Sequence, residues 1–236
     1  MVTVMMVAEQ LGGTLAMPIQ YATSADSHAG KSNTNRVVGY FSGAIVKGDS
    51  IDNYLLPKLN PEDKKIIIKT AKQAVNDIIN KVKPEYPDID IPLQLQDNYA
   101  AFVTIKKHGQ LRACMGHTFS SVPLLQEIRQ AAILAATQDY RFGAITKNEL
   151  ANLEFEVTIL SRMIKIIDTN QIVIGRDGLF IRENRNTGIL LPQVATEYNW
   201  DINIFLENLC RKAGIAKDAY KNPLTELFAF RAIVIH

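Results

Sequence analysis

Apolar and polar residues alternate with period two over Leu153–Leu160, where Leu153, Phe155, Val157 and Ile159 interleave with Glu154, Glu156 and Thr158. That pattern predicts a strand with one face in a core. A different period governs residues 60–83. Asn60 stands as an N-cap before Pro61, Glu62 and Asp63 follow in the first turn, and Ile67, Ala71, Ala74, Val75, Ile78 and Val82 recur at helical spacing up to Lys83-Pro84. The spacing predicts an amphipathic helix of about six turns. Strands follow at 99–105 and 111–117 around the turn Lys107-His108-Gly109-Gln110. Next comes a helix from Pro123 carrying Leu124, Leu125, Ile128, Ala131, Ala132 and Ala135, with Ser120 or Ser121 as its cap. Thr146 and Glu149 have the spacing of a capping box.

Farther along, the stretches at 171–174 and 179–182 flank Gly175-Arg176-Asp177-Gly178, whose Asp-Gly pair favours a hairpin. Asp201 caps a helix holding Ile202, Phe205, Leu206 and Leu209 that stops at Gly214. Residues 227–235 are apolar on both faces apart from Arg231, which predicts a strand inside a sheet. Before all this, residues 1–48 hold a Gly12-Gly13 break and two strands near 16–21 and 37–46 around a polar loop. The order of elements argues an α+β fold, with an appended two-stranded segment at 1–48 and the main domain at 49–236.

Composition narrows the class without choosing a partner. The 236 residues are 47% hydrophobic and 21% charged, and 26 Lys and Arg against 24 Asp and Glu leave a net charge of +2. Nucleic acid is therefore not the expected partner. No apolar run approaches the ~20 residues that span a bilayer, and the apolar first eight residues lack a basic flank, so no membrane association is expected. Two distant cysteines, Cys114 and Cys210, match neither a disulfide framework nor a C-x-x-C metal pair, which makes a reducing, cytoplasmic setting the expected one.

The candidate chemistry centres on residues 111–116, Leu-Arg-Ala-Cys-Met-Gly. Alternation along a strand puts Arg112, Cys114 and Gly116 on one face and Leu111, Ala113 and Met115 on the other. With the second face in the core, the first looks into a cleft. A thiol near a guanidinium is the setting of reactive cysteines, and Arg112 and Cys114 are the catalytic candidates. Gly116 leaves room for a ligand or a second backbone. His117 is expected on the opposite face from Cys114, so a Cys-His dyad would need a bulge. Glu156, on one strand face with Glu154, and Asp139 and Arg141, after the alanine-rich helix, are binding candidates, as is Lys212 near a helix C-terminus. Arg176, Arg182 and Arg185 lack interleaved aromatics, the histidines lie at no ligand spacing, and P-loop, G-x-G-x-x-G and G-x-S-x-G motifs are absent. No metal and no cofactor is expected.

Residues 111–116 resemble the L-R-G-C-I-G hexapeptide of the AMMECR-type domain family. The resemblance continues in order through Ala131-Ala132 and Asp139-Tyr140-Arg141-Phe142, Glu149-Leu150, Leu153–Leu160, Asp177-Gly178-Leu179, Leu190-Leu191-Pro192-Gln193, Trp200 and Cys210-Arg211-Lys212-Ala213-Gly214. It covers roughly residues 60–236. Ala113 stands where the family has glycine and Met115 where it has isoleucine. The resemblance implies an α+β fold of two related strand-helix halves around a single barrel-like, mostly antiparallel sheet. It implies no settled reaction, but it marks the hexapeptide as the functional region.

Residues 21–26 and 37–40 resemble the closing strands of Memo-like proteins. That implies a C-terminal remnant of such a domain at 1–48, with Memo-like and radical S-adenosylmethionine proteins as partners. A homodimer through the N-terminal strands, or coverage of a sheet edge by them, is the further expectation. Two functions follow: a cleft at residues 111–116 that acts on or binds a small anionic or carbonyl ligand, or a non-catalytic module that binds protein or RNA through the same surface.

Overall fold

A computed structural model describes the backbone of residues 15–23 and 39–46 and the whole of residues 56–83 and 91–236. The chain divides into two compact units, Met1–Tyr54 and Leu55–His236. In the first, β1 (Leu15–Thr23) pairs antiparallel with β2 (Gly39–Val46), with a register shift between Pro18 and Gln20. The Gly12-Gly13 break, the polar loop before Val37 and the Pro84 end of the stretch after the first helix lie outside the described residues.

The second unit opens with α1 (Pro61–Asn80), begun as the sequence predicts. Asn60 Oδ1 accepts the Glu62 and Asp63 N–H groups at 2.8 and 2.9 Å, and Asp63 Oδ2 returns a bond to the Asn60 N–H at 2.9 Å. The helix closes earlier than Lys83, at Lys81 in a left-handed conformation, and Ile78 and Val82 are exposed rather than core. β3 (Ala100–Lys107) and β4 (Gln110–Gly116) form a hairpin whose turn holds His108 at φ 52° and Gly109 at φ 74°. α2 (Leu124–Gln138) follows, but neither Ser120 nor Ser121 caps it; Pro123 is its N-cap, and Ser120 Oγ instead bonds within its own loop to Val122.

The expected single barrel-like sheet is replaced by two open ones. The first has the order β10-β5-β3-β4 and the second β6-β9-β7-β8, and every pair is antiparallel. The remaining strands are β5 (Leu153–Leu160), β6 (Ile164–Lys165), β7 (Gly178–Glu183), β8 (Asn186–Leu190), β9 (Glu226–Phe230) and β10 (Ala232–Ile235). The segment predicted as one final strand breaks at Arg231, so β9 lies in the second sheet and β10 in the first. The chain crosses between sheets a second time after β5. These two crossings bond to each other: the Ser161 N–H donates to the Arg231 carbonyl, and the Arg231 N–H donates to Ser161 Oγ, both at 2.8 Å. Strands that change sheets at a bend make a corner rather than a closed barrel.

Each sheet buries one face under helices. α1 and α2 cover Ala101, Val103, Ile105, Ala113, Val157 and Ile159 of the first sheet. α3 (Pro192–Glu197) and α4 (Ile202–Ala213) bring Ala195, Phe205, Leu206 and Leu209 onto Leu179, Ile181 and Leu190 of the second. Asp201 Oδ1 caps α4 by accepting the Ile204 N–H at 2.9 Å. The opposite faces meet at the corner, where Ala100, Leu160, Phe102 and Ala232 pack with Phe180, Phe228 and Phe230. Thr158 and Leu160 are therefore buried as well, and the C-terminal half of β5 is covered on both faces instead of one. Among the described residues no helix is long and apolar enough to cross a membrane.

The predicted hairpin at Asp177-Gly178 does not form, because β7 pairs with β8 and β9, and its connection to β8 turns at Asn184 (φ 56°). Asp177 is 1% exposed and ion-paired with Arg231, while Arg176 Nη2 reaches it at 3.0 Å and the Val173 N–H donates to it at 2.7 Å. The one polar interruption of the last strand is thus the counter-charge of a buried carboxylate. Arg231→Met is expected to destabilise the fold by roughly 3 kcal/mol in urea unfolding, since it strands a buried charge. Adding Asp177→Leu to that variant should recover most of the loss.

Candidate functional site

The hairpin register departs from simple alternation at one place. Ile105 pairs with Ala113 and Lys106 with Leu111, so Arg112 is an extra residue, a bulge in β4. Ala113 is fully buried and Met115 packs on the same core, as expected of that face, but Leu111 is 45% exposed. The bulge turns it to the face of its partner Lys106, away from the core.

Arg112 reaches sideways from the bulge. Its Nε and Nη2 donate to both Glu149 carboxylate oxygens at 2.9 and 3.1 Å, and its remaining N–H groups reach the Gly143 and Ala144 carbonyls at 3.1 Å each. Glu149 also accepts from the Thr146 N–H at 3.0 Å and from Lys107 at 3.1 Å. Its carboxyl is consequently held far below the usual range, first by Arg112 and then by Thr146. The sequence marks Glu149 only as a helix cap; its pairing with Arg112 joins residues distant along the chain, and spacing does not reveal it.

Asp139 and Arg141 close on the backbone of Cys114. β4 stands at the edge of its sheet, so one row of its N–H and C=O groups faces away from β3. The Cys114 N–H donates to Asp139 Oδ2 at 2.9 Å, and Arg141 Nη2 donates to the Cys114 carbonyl at 3.0 Å. The two side chains are also paired with each other, Arg141 Nη2 to Asp139 Oδ2 at 2.7 Å and Nε to Oδ1 at 2.9 Å. Arg141 and the buried Asp139 thus take the place of a neighbouring strand. The guanidinium of Arg141, helped by the Cys114 N–H and opposed by burial, holds the Asp139 carboxyl down at about 2.

Gly116 is a close approach of two backbones. A Cβ there would lie 2.2 Å from the Ala101 carbonyl oxygen and 2.6 Å from the Phe102 Cα. The sequence offered a ligand or a second backbone as the reason for this glycine, and β3 is that backbone. His117 leaves the strand and pairs through Nδ1 with the buried Glu127 at 2.6 Å. Lys212 is exposed at the end of α4, over the face of the second sheet that turns away from the first.

The register collects the remaining chemistry. Thr104 pairs with Cys114 on one side and Glu156 on the other, so the three share a row and a face, opposite to the helices. Thr104 Oγ1 donates to Cys114 Sγ at 3.3 Å. Glu156 is bound by Lys106 Nζ at 2.9 Å and by His236 Nδ1 at 3.2 Å. Two inter-strand spacings separate the thiol strand from the carboxylate strand, about 10 Å. Thr104 and Lys106 carried no signal in the sequence, because only strand pairing puts them beside Cys114. Cys114 is half-buried while Cys210 is fully buried, and burial raises the Cys210 thiol. Among the described residues no group of three or more His, Cys, Asp or Glu side chains is placed to hold a metal.

Both depressed carboxylates bind fewer protons folded than unfolded, so their stabilisation is complete above the ordinary carboxylate range and is lost as pH falls through it, for Asp139 towards about 2 and for Glu149 lower still. Acid unfolding followed by circular dichroism should show this loss beginning below about pH 4. Asp139→Asn should lower stability at neutral pH and flatten the acid limb.

A chain in which one short segment is held by so many internal bonds invites comparison with others built the same way. The AMMECR1 family model matches residues 68–235. A protein of Methanothermobacter thermautotrophicus is 34% identical over 185 residues, covering 75% of this chain and 96% of its own. One from Nanoarchaeum equitans is 38% identical over 171 residues, covering 70% and 94%. The crystal structure of an uncharacterised protein from Pyrococcus horikoshii matches with a TM-score of 0.69 at 30% identity, over 75% of this chain and 92% of that one. With sequence and fold in agreement across residues 68–235, the chain belongs to the AMMECR1 family.

Proposed function

We propose that this protein binds, and acts on, a small carbonyl or anionic ligand over the row Cys114, Thr104 and Glu156. One observation carries the proposal: of the hexapeptide's reactive side chains, Arg112 is saturated by Glu149 and two carbonyls, whereas Cys114 is half-buried with a hydroxyl on its sulfur. The spacing of about 10 Å between the strands that carry the thiol and the carboxylate suits a molecule of a few heavy atoms. The thiol is then the group that meets a carbonyl, with Thr104 donating to the sulfur and the Lys106–Glu156 pair at the other end. Arg112, Asp139 and Arg141 are positioning residues in this scheme, because their bonds run to the backbone around Cys114 rather than to open space.

The pairing of Arg112 with Glu149 and of Arg141 with Asp139, which leaves neither charge free for an anionic ligand, is what favours the second reading, a module that binds a protein or RNA without chemistry. The sequence of residues 1–48 supports a Memo-like remnant, Memo-like and radical S-adenosylmethionine partners, and self-association through β1 and β2, and this support is the resemblance alone.

Iodoacetamide labelling read by mass spectrometry separates the two readings, with Cys210 as the buried control. Cys114 should label in the native protein, Thr104→Val should slow it about threefold, and millimolar glyoxylate, which carries both a carbonyl and a carboxylate, should protect it in a manner that depends on the Lys106 ammonium. A Cys114 that labels only after unfolding, or a rate that glyoxylate leaves unchanged, would remove the ligand reading and leave the binding module.

A further inference from the structure

The corner between the sheets encloses a cavity of about 390 Å³ that none of the hexapeptide's side chains lines. It opens beside Ala100 and Leu160, four residues along β3 and β5 from the Thr104 and Glu156 row, or about 13 Å. Its volume falls within the range of small-molecule pockets.

Its walls have two chemical characters. Phe119 and Phe228 line it, and both pack on Phe180, with ring centroids 5.5 and 6.0 Å away, so the apolar side is a cluster of aromatic rings. Phe119 is 57% exposed although it is a large apolar ring in the loop directly after the hexapeptide. The polar side is formed by Asn98, Tyr99, Thr118, Ser120, Ser161 and Arg162. Arg162 is exposed and makes no ion pair among the described residues, in contrast to Arg112 and Arg141, whose guanidinium groups are each paired with a carboxylate. The Tyr99 hydroxyl makes no hydrogen bond among the described residues, and burial followed by the charge of Asp97 keeps its proton on, so it is a donor. A guanidinium, a phenol and a hydroxyl around an aromatic floor match a flat ring that bears one anionic group.

We propose that this cavity is a second ligand site and that it takes a small aromatic carboxylate, with the ring against Phe119 and Phe228 and the carboxylate on Arg162. The site is independent of the Cys114 row. It is built where side chains of both sheets meet, and the loop that leaves the hexapeptide at His117 contributes Thr118, Phe119 and Ser120 to its lining.

Saturation-transfer NMR on the full chain with 2-naphthoate as probe tests it. Saturable binding in the sub-millimolar range is expected, weakened about tenfold or more by Arg162→Gln and by replacing the carboxylate with a neutral alcohol, as loss of a charge-assisted contact requires. Phe119→Ala should weaken it as well, while Cys114→Ser should leave it unchanged. Both Arg162 and Phe119 are exposed, so their variants should fold, which a thermal melt checks directly. No saturable binding up to several millimolar, or equal affinity in Arg162→Gln, would overturn the site. Competition of naphthoate with glyoxylate at Cys114 would instead show one shared site and overturn the claim that there are two.

Discussion

An edge strand must satisfy the backbone groups that no neighbouring strand meets, and in this protein that constraint falls on β4, the strand that carries the hexapeptide. Asp139 and Arg141 answer it with side chains. The carboxylate accepts the Cys114 N–H, the guanidinium donates to the Cys114 carbonyl, and each side chain neutralises the other. A further strand beyond β4 would have paired this edge through its own backbone. A side-chain clamp seals the edge and leaves Cys114 on the sheet face, with Thr104 beside its sulfur. Arg112 performs the companion task one step along the strand, where a bulge swings it out to tie the segment from Gly143 to Glu149 against the same edge.

The second constraint is the corner. Ser161 and Arg231 mark the two points at which the chain passes from one sheet to the other, and they bond to each other through backbone and hydroxyl. Arg231 also supplies the charge that lets Asp177 remain buried. Breaking either partner removes a counter-charge from a place water reaches poorly, which is costlier than never having placed the pair there. Three phenylalanines from the second sheet fill the angle against Phe102 and Leu160. Because the corner is wedged open by rings, it keeps a cavity at its mouth instead of closing into a barrel.

These two features divide the polar chemistry of the molecule. Around the hexapeptide, arginines and carboxylates are bonded to one another and to backbone, which ties that region together and leaves Cys114 half-buried on the sheet face. At the corner, the side chains of Tyr99 and Arg162 beside the cavity make no hydrogen bond or ion pair among the described residues, and Phe119 is exposed. Rigid support beside open polar groups is the division of labour expected of binding sites on stable scaffolds.

Periodicity and caps were enough to locate α1, α2 and α4 and most strands, though not α3, because those signals are local: Asn60 before Pro61, Asp201 before Ile202, alternation through Val157 and Ile159. The α+β class followed from the same short-range order, as did the burial of Ala113, while the family resemblance rested on the motifs from residue 111 onwards. What sequence could not supply depends on which strands pair and in what register. One inserted residue at Arg112 sent Leu111 to the opposite face, a bend at Arg231 divided one predicted strand between two sheets, and Asp177, which reads as a turn residue, became a buried anion. The partners of Arg112 and Cys114 lie 37 and 25 residues away, in Glu149 and Asp139. Spacing along a chain encodes contacts within a helix or across a tight turn, while contacts between distant segments exist only once the sheets have packed, so the elements were legible in the sequence and the site was decided by the tertiary structure.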